Sequence, residues 1–152
     1  MKDGPYGFRD AGEFRSVVGG FFERVRTDPD SVLAGSGLVL VFRISDLGLT
    51  LTLDASRPPN PPEMFDVRIE DGTPVALGAC VYQLTSETLD RVCQGALPII
   101  VAVVTGQVRI RAGNHFAVVR VTDRAIRRII PAYRQWRRAG NSAGPSLRGD
   151  SN

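Results

Sequence analysis

The sequence predicts an α/β (α+β) domain in which helices cover a five- or six-stranded, mostly antiparallel sheet. Three observations predict it. Apolar residues make up 43 % of the 152 residues, enough to build the core of one domain. The hydrophobic period changes from helical to alternating at Leu38, and returns to helical after Thr85 and again after Thr122. The alternating runs follow one another through short turns, which favours antiparallel neighbours.

The first element is a helix. Asp10 is placed to cap it, with Glu13 three residues on. Phe14, Val17, Val18, Phe21, Phe22 and Val25 then form one apolar stripe. Gly19 and Gly20 interrupt it at about 1 kcal/mol each, a cost tolerable where another element packs close. Asp28-Pro29 ends the helix, and Asp30 to Ala34 form a short turn.

Leu38, Leu40, Phe42 and Ile44 lie on one strand face, with Val39, Val41 and Arg43 on the other. A tight turn at Ser45 to Gly48 leads to Leu49, Leu51 and Leu53, so this pair reads as a hairpin. Arg57 to Pro62 holds four prolines and must be a loop. A third strand points Phe65, Val67 and Ile69 inward and Asp66, Arg68 and Glu70 outward. A fourth, from about Val75 to Leu84, is apolar on both faces, which suits a central position.

Thr85 caps the next helix, whose inner face is Leu89, Val92 and Cys93, and Gly95 stops it. Pro98 opens a short apolar helix through Val104, read as buried. Val108 and Ile110 alternate in a fifth strand, and a sixth is expected from His115 to Val121. Thr122 then caps a last helix with the inner stripe Ile126, Ile129, Ile130, Tyr133 and Trp136 or Arg137. One domain is expected over residues 1–139, and a Gly/Ser/Asn/Pro tail over 140–152 is expected to be disordered.

Composition narrows function. No run approaches the ~20 apolar residues of a membrane span. The first residues lack an apolar signal core. Cys80 and Cys93 sit in apolar surroundings outside any CxxC pair, so the reading is a reducing cytoplasm with free buried thiols. His115 is the only histidine, and with two separated cysteines it makes no closed metal set. No metal or other cofactor is expected. There is no G-x-S-x-G elbow, G-x-G-x-x-G turn or Walker loop. Asp54 and Glu63 bracket the proline loop and Tyr82 lies on the fourth strand; these three are the weak catalytic candidates, as acid, base or proton donor.

Charge is concentrated late in the chain. Seven arginines and one aspartate lie between Arg120 and Arg138, a local charge of +6 in a chain of net +3. Arg124, Arg127, Arg128 and Arg134 are candidates for docking on an anionic membrane or a partner protein. They also fit a plain solvated helix face. Nothing resembles a nucleic-acid-binding motif.

The chain resembles the sterol carrier protein type 2 family. The residues that carry the resemblance are Asp28-Pro29 with the strand Leu38 to Ile44, the junction Tyr82-Gln83-Leu84-Thr85-Ser86-Glu87-Thr88-Leu89, the helix Leu97 to Val104 with its join Thr105-Gly106-Gln107-Val108-Arg109-Ile110-Arg111-Ala112-Gly113, and the segment Phe116 to Tyr133. It covers roughly Glu13 to Ile130. The proline-rich loop Pro58 to Pro62 and the arginine-rich last helix depart from the family's pattern. The resemblance implies a five-stranded sheet with helices enclosing an apolar cavity or tunnel. By residue type alone, Phe14, Val18, Phe21, Phe22, Leu89, Val92, Leu97, Ile100, Val101, Val104, Ile126 and Ile130 either fill an ordinary core or line such a cavity; the resemblance favours the cavity. The function it implies is non-catalytic binding or carriage of a lipid-like or apolar small molecule. The alternatives are a cavity enzyme that cyclises or isomerises an apolar metabolite, and a partner-binding domain without a ligand.

Overall fold

The computed structural model describes residues 6–31, 33–57, 60–74, 80–113 and 115–140. In chain order the elements are α1 (Ala11–Phe14), a π-helical turn (Arg15–Gly19), α2 (Gly20–Val25), β1 (Val39–Ile44), β2 (Leu49–Asp54), β3 (Asp66–Asp71), β4 (Cys80–Leu84), α3 (Ser86–Cys93), α4 (Ile99–Val104), β5 (Arg109–Ala112) and α5 (His115–Arg138). The five strands form one sheet in the order β3-β2-β1-β4-β5. Every pairing is antiparallel except the parallel β1–β4 pair. The expected start of β4 at Val75, and the tail beyond Gly140, lie outside the described residues.

The first helix begins as its sequence requires. The Asp10 carboxylate accepts the Glu13 amide at 2.8 Å, and Glu13 reaches back to the Arg9 amide, a reciprocal cap. Its two glycines are contact points. A Cβ on Gly19 would meet Ile69 of β3 at 3.2 Å, and one on Gly20 would meet the Trp136 ring at 3.2 Å. Losing helix propensity there brings the backbone close to the sheet and to α5. Trp136 completes the contact by donating its indole N–H to the Val17 carbonyl at 3.1 Å.

The strand alternation fixes which face meets the helices. Leu40, Phe42 and Ile44 pair with Leu53, Leu51 and Leu49 on one side and with Cys80, Tyr82 and Leu84 on the other. These side chains are buried against the helices in one continuous core. Phe42 and Tyr82 stack with ring centroids 5.3 Å apart. The opposite face carries Val39, Val41 and Val81 as a small second cluster. β4 lies between β1 and β5, the internal position its two apolar faces predict.

Two expectations are corrected. Residues 115–121 are not a sixth strand: they are the first two turns of α5. Val118, Val119, Thr122, Ile126, Ile130 and Tyr133 recur at three- and four-residue spacing and are buried or half-buried, so the helical stripe simply extends N-terminally. The valines' strand preference is a weak prior that packing overrides. Thr122 is accordingly no cap; its hydroxyl bonds back to the Val118 carbonyl at 2.8 Å. The second correction is α4. Ile99 and Ala102 are buried, but Ile100, Val101 and Val104 are 46 %, 45 % and 80 % exposed. A short helix laid on the core with one side presents its other side outward, and an all-apolar sequence does not say which.

Candidate functional site: an apolar cavity under the last helix

A cavity of about 90 Å³ lies between the helix-facing side of the sheet and α5. Leu40 and Phe42 of β1, with Leu51 and Leu53 of β2, make its floor, and Phe65 joins them from the loop before β3. Thr122, Ala125, Ile126 and Ile129 of α5 make the roof. Phe22 and Val25 close one side and Leu89 and Cys93 of α3 another. The rim is polar, with Asp28, Ser31 and Arg128. Across it the Arg128 guanidinium pairs with Asp30 at 3.6 Å. An apolar interior with a charged rim suits a molecule that buries its apolar part and keeps a polar end near water.

Size qualifies that reading. A cavity of about 150 Å³ admits benzene, and drug-sized ligands occupy about 300–1,000 Å³. A lipid-sized guest therefore requires this cavity to widen. Ala125 and Ile129 are only half-buried and Ala132, also in its lining, is exposed, so the α5 side is the thinner wall.

Three of the sequence-predicted binding residues line the cavity: Phe22, Leu89 and Ile126. Phe14, Val18, Phe21 and Val92 are buried in the core around it, with Phe21 edge-on to Tyr133 at 5.0 Å. Leu97 and Ile130 pack half-buried on the same core. Ile130 lies where a Cβ on Gly95 would fall, at 3.1 Å, and Gly95 has φ +79°; glycine there both ends α3 and admits α5. Ile100, Val101 and Val104 stand away from the cavity on the surface. The strand residues Leu40, Phe42, Leu51 and Leu53 were legible as an inward face, but nothing in their spacing marks a void above them.

The weak catalytic candidates do not reach the cavity lining. Asp54 lies on the other face of β2, 3.6 Å from Arg68. Burial works to raise its carboxyl, but hydrogen bonds from Ser56 and the guanidiniums of Arg68 and Arg57 outweigh it and hold the group below the usual range. Glu63 pairs with Arg26 at 3.1 Å. Tyr82 is fully buried and its hydroxyl meets Thr122 Oγ1 at 2.8 Å. Burial pushes the Tyr82 phenol far up, against the opposing Thr122 bond, so it stays protonated at neutral pH. Among the described residues no group of three or more His, Cys, Asp or Glu stands together as a metal site, and no helix is long and apolar enough to cross a membrane.

A second buried polar group flanks the cavity and was not singled out by the sequence. Asp90 of α3 is 0 % exposed. It accepts from Tyr133 at 2.7 Å, the Gly7 amide at 2.8 Å, Gln94 at 3.1 Å and Arg137 at 3.3 Å. Arg137 also donates to the Gly7 carbonyl at 3.1 Å and lies 4.8 Å from the Phe8 ring centroid. One carboxylate thus ties the N-terminal segment, α3 and α5 together. Burial first, then the neighbouring Cys93 and the charge and hydrogen bond of Asp90, push the Tyr133 phenol well up, with Arg137 opposing. Both cysteines are free and buried; burial raises Cys80, and burial followed by Asp90 raises Cys93 far above an ordinary thiol. Thiolate is the reactive form. We therefore expect neither thiol to react with a disulfide reagent at mild pH until guanidinium unfolds the chain, when both should titrate. Rapid labelling of either in the native protein would contradict the burial of both side chains.

Of the candidate docking arginines, Arg124, Arg127, Arg128 and Arg134 are all exposed. Arg127 pairs with Asp123 at 3.0 Å and Arg128 with Asp30; such exposed pairs are worth about 0–1 kcal/mol.

No protein-family model and no curated protein matches the sequence. Solved structures do. A crystal structure of sterol carrier protein 2 aligns with a TM-score of 0.54 and 14 % identity, covering 76 % of this chain and 92 % of that one. The solution structure of a conserved hypothetical protein from Thermus thermophilus, described as a candidate sterol carrier protein, aligns with a TM-score of 0.54 and 14 % identity, covering 90 % and 95 %. A stereoselective inverting sec-alkylsulfatase from Pseudomonas aligns at a TM-score of 0.47 and 22 % identity, over 64 % of this chain and 14 % of that enzyme. The helix-covered sheet and the two alignments at a TM-score of 0.54 give the chain a sterol-carrier-protein-2-like fold over most of its length.

Proposed function

We propose that this protein binds a lipid-like or otherwise apolar small molecule non-covalently, in the cavity between the sheet and α5, without transforming it. The observation that carries the reading is the cavity itself: an apolar chamber roofed by one helix and rimmed by Asp28, Ser31 and Arg128. The fold it shares with sterol carrier protein 2 supports the same reading. Asp54, Glu63 and Tyr82 stand outside this cavity's lining, and Asp54 instead lines an open cleft with Arg57, Asp66 and Arg68. A guest gains roughly 25 cal/mol per Å² of apolar surface removed from water, partly offset by its own immobilisation and by the work of widening the chamber. Release to a recipient requires a docking surface, and the exposed Arg124, Arg127, Arg128 and Arg134 supply one for an anionic partner.

The test is native mass spectrometry of the purified protein, with solvent extraction of anything retained and titration with fatty-acid and sterol probes. The expected result is saturable one-to-one binding that displaces a fluorescent apolar probe. An absence of saturable binding across these classes would sink the proposal and leave a partner-binding domain as the better account.

A further inference from the structure

α4 presents a surface that neither the core nor the cavity explains. Its six residues, Ile99 to Val104, are all apolar, yet only one side is buried. Ile100, Val101 and Val104 share the outer side, at i, i+1 and i+4, and are the exposed large hydrophobic residues among those described. The knob is held firmly. The amides of Gln107 and Val108 both donate to the Ala102 carbonyl, at 2.8 and 3.0 Å, and Thr105 closes the helix with amide and hydroxyl bonds to the Val101 carbonyl. A surface helix ordinarily turns polar residues to water, so three β-branched aliphatic side chains held outward need a partner.

Charge identifies it. From Arg91 to Thr122 the sequence has no aspartate or glutamate, and its formal charges are Arg91, Arg109, Arg111 and Arg120. Of these, Arg109, Arg111 and Arg120 are exposed. Arg111 lies on β5, an edge strand that follows α4 after one short turn, while Arg109, paired with Gln83, turns to the sheet face opposite the helices. An apolar knob embedded in an acid-free, cationic stretch is complementary to a surface that is anionic outside and apolar beneath. We propose that α4 docks this protein on an anionic lipid bilayer, with Ile100, Val101 and Val104 entering the interfacial zone and the exposed Arg111 and Arg120 facing lipid phosphates. A second copy of the chain fits less well. Three side chains cannot supply the about 800 Å² per partner that a stable interface buries, and the knob lacks the aromatic anchors that dominate protein interfaces. The inference does not depend on the cavity holding a guest.

The test is sedimentation of the full chain with vesicles of phosphatidylcholine alone or with roughly one third phosphatidylglycerol. Binding is expected to the anionic vesicles, at least about tenfold tighter than to the neutral ones and weakened by salt. Val104→Asp, at an exposed position where folding is not at risk, is expected to weaken that binding about tenfold or more. Val104→Trp should show blue-shifted emission quenched by brominated lipid, against a wild-type control that carries only Trp136. The proposal is overturned if anionic vesicles are not bound, if Val104→Asp binds them as wild type does, or if the new tryptophan stays in water. A dimer that Val104→Asp dissociates, in the absence of vesicle binding, would assign the knob to a second copy instead.

Discussion

Replacing Asp90 with alanine is expected to destabilise the protein by about 3–5 kcal/mol, because it strands a buried guanidinium. Asp90 is fully buried and its partners come from three separate parts of the chain: Gly7, Gln94 beside α3, and Tyr133 with Arg137 on α5. The Arg137 side chain is itself largely buried, at 13 % exposure. Removing the carboxylate leaves that charge without its counter-ion and the Tyr133 hydroxyl without its acceptor. Against a total stability of about 5–15 kcal/mol for a typical domain, the loss should appear as a large fall in denaturant midpoint. Faster amide exchange at Gly7 should accompany it, since Asp90 is that amide's acceptor. Asp90→Ala combined with Arg137→Met should recover part of the loss, because the stranded charge is then gone. A single Asp90→Ala variant within about 1 kcal/mol of wild type would show that the network contributes far less than its burial implies.

The second large effect concerns the cavity. Ala125→Phe is expected to abolish saturable binding of apolar probes, by at least about tenfold, while leaving a folded protein. Ala125 is half-buried on α5 and its side chain points to the chamber. A phenyl group there fills a cavity of about 90 Å³. The roof can shift outward to receive it, so overpacking should cost about 1–3 kcal/mol rather than the fold. The opposite change, Ile126→Ala, enlarges the chamber at a cost of about 2–5 kcal/mol and should shift preference toward bulkier guests. Retained folding with lost binding in the first variant, and altered selectivity in the second, together place the guest beneath α5. Unchanged probe affinity in a folded Ala125→Phe protein would move the site elsewhere.

Much of the fold was determined locally and was legible as such. Asp10 and Glu13 cap the first helix through atoms three residues apart, and Thr85 caps α3 through the Thr88 amide in the same way. The alternation of Leu40, Phe42 and Ile44 with Val39, Val41 and Arg43 settles which strand face turns inward, since a strand has no other period. Even the costly pair Gly19-Gly20 announced a close approach, which Ile69 and Trp136 supply.

Tertiary structure decided the rest, for a common physical reason: those features depend on which distant segments meet. Residues 115–121 carry valines that suit either period, and only their place against the core makes them helix. The outward side of α4 is chosen by what Ile99 and Ala102 find to pack on. Asp90 looks like one more charge on an amphipathic helix until Tyr133 and Arg137, more than forty residues away, close over it. The cavity is the clearest case. The inward residues of helices and strands can be read from spacing, and Phe22, Leu89 and Ile126 were found that way. Whether opposing layers meet fully or leave a gap is set by the distance between them, to which a period of two or 3.6 residues is blind.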